Sequence, residues 1–134
     1  YGCDDCLAAC PWNKFARMSA HKEFLRTKNI TNLNFEKLLL LTKKKFTKVF
    51  FESPIKRIGW YLFMRNIIIA SGNSKKKSLV NLIKIHLKNE NPIVRGSAVW
   101  ALGQLMTKKE KLHFIKSFKK KENNPYVLFE FKNL

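Results

Sequence analysis

No apolar run in this sequence approaches the length of a bilayer span. The longest, around Ile67–Ala70, is bounded by Arg65 on one side and by Gly72 and Lys75 on the other, whereas about 20 apolar residues are needed to cross the hydrocarbon core. No transmembrane segment and no membrane partner are therefore expected. Cysteine is sparse: three residues, all within the first ten. A disulfide framework needs an even number spread across loops, so these three read instead as metal ligands in a reducing cytoplasm. Period-two apolar alternation is missing, and so is a GxGxxG stretch, so neither a sheet nor a dinucleotide-binding unit is expected. His21, His86 and His113 lack a carboxylate, serine or cysteine partner at useful spacing. No chemistry is assigned to them, and His86 on an apolar helical face reads as a packed side chain. The chain opens on Tyr1 with neither a basic n-region nor an apolar h-region, which excludes a signal peptide and is expected of a piece cut from a longer protein.

Acidic residues are also scarce, nine against 27 Lys and Arg, and the formal net charge is +18. Each phosphate neutralised by Lys or Arg releases condensed counterions, so a polyanion, nucleic acid first, is the expected partner. The competing reading is compositional, since 22 of the 27 basic residues are Lys. Among the 134 residues, 46% are apolar and 13% aromatic, with 11 Phe, far above the composition at which a chain stays unfolded. One compact domain, or a short appendage plus a small helical array, fits this length.

The pattern changes near residue 30. Residues 1–30 hold the cysteines, Pro11 and few periodic apolar positions, and read as a loop-rich arm whose order depends on metal. From Leu33 onward Phe35, Leu38, Leu39 and then Phe46, Val49, Phe50 recur at helical spacing, with Asn34 and Thr42 placed as N-caps. Ser53-Pro54 is read as opening a longer helix with Ile55, Ile58, Leu62, Ile68 and Ile69 on its apolar face and Gly72-Asn73 as a left-handed stop. A helix through Leu79, Leu82, Ile83 and His86 follows. Asn91-Pro92 opens another through Val94, Ala98, Ala101, Leu102 and Leu105. A further helix runs through Leu112, Ile115 and Phe118, and Asn124-Pro125 opens the last, with Val127 and Phe131. The cap-proline signature thus recurs at Pro54, Pro92 and Pro125, 38 and 33 residues apart, with one helix pair per period. Pro54-Ile55-Lys56-Arg57 aligns with Pro92-Ile93-Val94-Arg95, while the third copy places Leu128 where Arg is expected. This rhythm predicts an all-α array of stacked helical repeats over residues 31–134, with an extended surface for a large partner.

Chemistry is concentrated in Cys3-x2-Cys6-x3-Cys10-Pro11, which matches the last three cysteines of the bacterial ferredoxin run C-x2-C-x2-C-x3-C-P. Thiolates are soft, strongly donating ligands suited to iron-sulfur clusters, and three cannot complete one all-cysteine cubane. The remaining donors are expected upstream. The alternative is a zinc site completed by His21. Asp4 and Asp5 read as solvated loop residues between ligands rather than an acid/base pair.

Four boxes in order carry a family resemblance: Tyr1-Gly-Cys-Asp-Asp-Cys-Leu-Ala-Ala-Cys-Pro-Trp-Asn13, Ser53-Pro54-Ile-Lys-Arg-Ile-Gly59, Arg65-Asn66 with Gly72-Asn73, and Val94-Arg95-Gly96-Ser-Ala-Val-Trp100-Ala-Leu102. Together they resemble epoxyqueuosine reductase, an enzyme that reduces the epoxide of epoxyqueuosine to queuosine at the wobble position of tRNA. The resemblance implies two 4Fe-4S clusters and cobalamin. Cys3 and Cys6 would ligate one cluster with two upstream cysteines, and Cys10 the other. It further implies that residues 1–30 end a ferredoxin-type segment and that residues 31–134 form a HEAT-like domain that helps hold the tRNA anticodon arm. The catalytic and cobalamin domain would be N-terminal to this chain, so no catalytic residue is expected within it. A cytoplasmic monomer fed by an external electron donor completes the expectation. Lys43–Lys45 depart from the family's acidic residues after the threonine cap.

The candidate RNA contacts are Lys56, Arg57, Arg65, Lys75, Lys76, Lys77 and Arg95. An Arg near a helix start can fork to phosphate, but Arg57 and Arg95 are equally suited to pair with a carboxylate or carbonyl of the adjacent repeat. Lys75–Lys77 follow a turn, where side chains are free. Trp12, Trp60 and Trp100 read as packing residues. The reading of a different class is a HEAT-like scaffold with a zinc-binding cysteine arm that binds nucleic acid or protein without catalysis.

Overall fold

The computed structural model describes residues 5–18, 20, 33–51 and 53–134. The chain divides into two compact units, Tyr1–Thr31 and Asn32–Leu134. Every described residue of regular structure is helical. Cys3, Asp4 and His21 lie outside the described residues.

In the first unit a single helical turn, α1 (Asp5–Ala8), leads into a 3-10 helix over Pro11–Phe15. Pro11 suits the first position of that turn because its missing N–H would be unpaired there anyway. None of the described side chains of this unit is buried, and Trp12 is 73% exposed. Among the described residues the Trp12 ring meets Phe15, with ring centroids 5.5 Å apart, and no buried core forms around it.

The second unit begins with two short helices, α2 (Phe35–Leu39) and α3 (Lys43–Val49). Asn34 Oδ1 accepts the Lys37 N–H at 2.9 Å and Thr42 Oγ1 accepts the Lys45 N–H at 3.3 Å, so both caps lie where the sequence puts them. Phe46, Phe50 and Phe63 form a satellite core with centroids 4.9 to 5.2 Å apart. Such pairs contribute roughly 0.5–1.5 kcal/mol each beyond the area they bury. Trp60 Nε1–H donates to the Leu41 carbonyl at 2.7 Å and fastens the α2–α3 pair to the next helix.

Two expectations for that next helix are corrected. Ser53-Pro54 does open a helix, with Ser53 Oγ accepting the Ile55 N–H, but only a 3-10 turn over Pro54–Ile58. The α-helix proper, α4 (Gly59–Asn73), starts at Gly59, whose φ of +75° breaks the run. Glycine adopts that conformation at little cost. The break re-aims the apolar face, so Phe63, Met64 and Ile68 are buried while Ile58 and Leu62 are exposed. Gly72 is no left-handed stop either. It is helical and buried, and a Cβ there would lie 3.0 Å from the Cα and Cβ of Ala101. The left-handed residue that ends the segment is Lys75, at φ +56°.

Next come α5 (Val80–Ile85), flanked by 3-10 turns, α6 (Pro92–Leu105), α7 (Lys108–Phe118) and α8 (Pro125–Lys132). Asn91 and Asn124 cap α6 and α8 by accepting the N–H two residues on, at 2.9 and 3.1 Å. Helix α6 is buried on most sides and packs against α4, α5 and α8, and its small residues Gly96, Ala98, Ala101 and Gly103 permit the close approach. The main core joins Met64 and Ile68 to Leu79, Ile83, Val94, Ala98, Leu102, Phe114, Val127 and Phe131, among others. In α7 the buried side chain is Phe114, whereas Leu112, expected on the inner face, is exposed. A capping box at Thr107 and Glu110 sets the start of that helix: the two residues exchange side-chain-to-backbone bonds.

Candidate functional site

The cysteine arm carries Cys6 exposed on α1 and Cys10 half-buried just after it, neither in a disulfide. Asn13 Nδ2 donates to the carbonyls of Leu7 and Ala8 at 2.6 and 3.1 Å, folding the 3-10 turn back onto α1. Cys10 sits at the N-cap of that turn in an extended conformation. Two accessible, unoxidised thiols on a locally braced loop are chemically suited to soft metal ions. Among the described residues no group of three His, Cys, Asp or Glu could hold a metal. Cys3 and His21, the third thiolate and the zinc alternative's fourth ligand, fall outside them.

The basic candidates occupy different settings in the second unit. Lys56 and Arg57 are exposed on the 3-10 turn before α4, with Lys56 Nζ 4.4 Å from the centroid of the Phe51 ring. Lys75, Lys76 and Lys77 are exposed in the turn after α4. Arg65 projects from the middle of α4, with Nη1 donating to Asn66 Oδ1 at 3.3 Å.

Arg95 differs from all of these. Its Nε and Nη2 donate to the two carboxylate oxygens of Glu122 at 2.7 and 3.0 Å, and Nη1 donates to the Asn89 and Glu90 carbonyls at 2.8 and 2.9 Å. Glu122 in turn accepts the N–H groups of Asn123 and Asn124. The Arg95 bond holds the Glu122 carboxyl below its usual value, and the carboxylate raises Arg95 further. Of the two readings open for Arg95, the geometry favours the clamp, here between α6, the segment before it and the segment before α8, since the fork has no donor pair left for a phosphate. Glu122 is the residue that sequence reasoning missed: it lies 27 residues away on an irregular segment, where no periodicity marks it.

A second polar linkage joins three elements at the surface. Lys43 Nζ donates to Glu90 Oε1 at 2.5 Å, and Tyr61 Oη donates to the same carboxylate. Hydrogen bonding to Glu90 raises the Lys43 ammonium, and the reciprocal bond lowers Glu90. Both side chains are more than half exposed, so this linkage contributes little to stability. His86 is buried, and its Nε2–H donates to the Leu39 carbonyl at 2.9 Å, which makes it a packed histidine.

Comparison with curated proteins finds relatives over most of this chain. It is 32% identical over 109 residues to the epoxyqueuosine reductase of Salmonella typhimurium, covering 81% of this chain and 28% of that protein. It is 33% identical over 104 residues to that of Escherichia coli, covering 78% and 27%. This chain resembles the epoxyqueuosine reductases. The epoxyqueuosine reductase of Francisella cf. novicida adds 35% identity over 108 residues, 78% of this chain and 30% of the relative. The chain thus spans less than a third of the length of these epoxyqueuosine reductases. No family model and no solved structure matches. No described helix is long and apolar enough to cross a membrane.

Proposed function

We propose that this chain is a segment of an epoxyqueuosine reductase, the oxidoreductase that reduces the epoxide of epoxyqueuosine to queuosine in tRNA. The observation that carries the proposal is the similarity to several such enzymes over about four fifths of the chain. Within the whole enzyme the segment has two tasks and holds no catalytic residue. Residues 1–30 end a ferredoxin-type segment, in which Cys3 and Cys6 complete one 4Fe-4S cluster and Cys10 a second, with the other ligands supplied from outside this chain. The exposed, unpaired state of the Cys6 thiol and the loop braced by Asn13 support that role. When bound, such clusters supply single-electron transfer.

Residues 31–134 form a HEAT-like unit that holds the anticodon arm. Lys56, Arg57 and Lys75–Lys77 face solvent and supply phosphate contacts, Arg65 faces solvent and also contacts the RNA, and Arg95, taken up by Glu122, keeps neighbouring repeats in register. Cobalamin is held mainly by the part of the enzyme beyond this chain, and the electrons come from an external donor in the cytoplasm. The working enzyme is a monomer.

The test uses cells whose only copy of the gene encodes the full-length protein, with tRNA nucleosides measured by mass spectrometry. The wild type yields queuosine. Cys6→Ser and Cys10→Ser leave epoxyqueuosine unreduced, and the anaerobically purified variants contain less iron and acid-labile sulfide. Undiminished queuosine in both variants refutes the ligand assignment. Zinc in place of iron supports the scaffold reading instead.

A further inference from the structure

Helices α4, α6 and α8 enclose a groove with a cavity of about 340 Å³, within the size range of small-ligand sites. We propose that this groove receives one unpaired RNA base, stacked against Tyr126 and Trp100 and held by Arg65. The inference rests on the RNA-holding role proposed above and goes beyond it by placing a base, not only phosphates, on this unit.

Three features support the assignment. The first is aromatic. Tyr126, near the start of α8, is 79% exposed, and Trp100 of α6 is half-buried across the same groove. The indole approaches α4 at Gly72, where its Cζ3 would lie 3.1 Å from an added Cβ. Trp100 also lines the groove, so an aromatic ring partly packed against the unit borders the cavity. Unpaired bases stack on surfaces of this kind, because every base has a π-face.

The second feature is donors open to solvent at the groove. Among the described residues, Arg65 has no bond besides the one to its neighbour Asn66, although guanidinium carries five N–H donors. The contrast is with Arg95, four of whose donors are taken up inside the chain, so Arg65 has donors to offer a ligand in the groove. Trp100 Nε1–H likewise has no described partner. The third feature is an acceptor at the rim. Glu130 of α8 is half-buried, packs its stem beside Gly96, and forms no described ion pair. Donors and an acceptor converging between aromatic faces suit the edge of a base. A bare phosphate is disfavoured by the carboxylate, and an apolar peptide by the unpaired donors.

The experiment measures binding of an anticodon-arm RNA to the full-length protein across a salt series, comparing wild type, Tyr126→Ala, Tyr126→Phe and Arg65→Gln. Stacking of one base corresponds to an affinity loss of about ten- to a hundredfold on truncation to alanine. Tyr126→Ala should lose affinity by that factor with the slope of log affinity against log salt unchanged, since no phosphate contact is removed. Tyr126→Phe should bind as the wild type does, and Arg65→Gln should bind more weakly. The exposed position of Tyr126 makes misfolding an unsuitable explanation, and circular dichroism of the variant checks this. Wild-type affinity in Tyr126→Ala overturns the base site while leaving the phosphate-holding role intact. A loss accompanied by a shallower salt slope also overturns it. A wild-type protein that binds no RNA overturns both.

Discussion

Replacing Arg95 by Ala separates a structural clamp from an RNA contact. The substitution removes four hydrogen bonds at once: two to Glu122 and one each to the Asn89 and Glu90 carbonyls. The side chains of the pair are 17% and 13% exposed, so the carboxylate left behind is largely out of water. Breaking a fully buried pair costs roughly 3–5 kcal/mol, and an exposed one about 0.2–1. Glu122 keeps its two backbone donors, Asn123 and Asn124, and the freed carbonyls can turn to solvent, so the cost falls to about 2–3 kcal/mol. For a unit of this size that corresponds to a fall of roughly 10–20 °C in melting temperature.

Arg95→Lys keeps the charge but not the fork, and should lose about half as much. The assay is urea denaturation followed by circular dichroism, with Glu122→Gln completing a double-mutant cycle. Acid supplies an independent check. The Glu122 carboxyl titrates below its usual 4.5 when folded, so the unfolded chain binds its proton first as pH falls. Its contribution is complete above about pH 4.5 and disappears as pH drops through the lower folded value. The Glu122→Gln variant should lack this acid-dependent component. A loss of under about 0.5 kcal/mol in Arg95→Ala, with RNA affinity reduced, would refute the clamp and return Arg95 to the RNA footprint.

Gly72→Ala sets two effects against each other: better helix propensity, worth about 1 kcal/mol, and overpacking against the backbone of Ala101, which costs roughly 1–3. Because a helix backbone cannot swing aside, net destabilisation of about 1 kcal/mol is expected in the same denaturation assay, and a stabilised variant contradicts the contact. Burial lowers the His86 imidazole below its usual 6.5, although its bond to Leu39 opposes the shift. His86 should therefore titrate below pH 6.5 by NMR, and its contribution to stability, full above 6.5, should decline as pH falls through the folded value. A midpoint above 6.5 refutes this.

The residues that declared themselves in the sequence are those whose partners lie within a few positions. Asn34, Thr42, Ser53, Asn91 and Asn124 each cap the backbone N–H two or three residues on, and spacing alone locates them. What stayed hidden depends on distant partners. Gly72 reads as a helix stop because a glycine near a helix end usually is one, and only the approach of Ala101 shows that it is a contact. Leu112 and Phe114 both fit an apolar stripe, and the direction of the neighbouring helices decides which turns inward. At the candidate sites, the basic side chains were legible as charge, but that Glu122 occupies Arg95, while among the described residues Arg65 bonds Asn66 alone, required the fold. The cysteine spacing spoke for metal chemistry on its own, through donor type and interval rather than through any surroundings.

The missing Cβ at Gly72 also bears on how the second unit transmits force. Where α4 meets α6 at Gly72 and Ala101 no side chain separates the two backbones, and interiors packed this tightly barely compress. At that crossing a displacement of α4 is passed to α6 directly instead of being absorbed by rotating side chains.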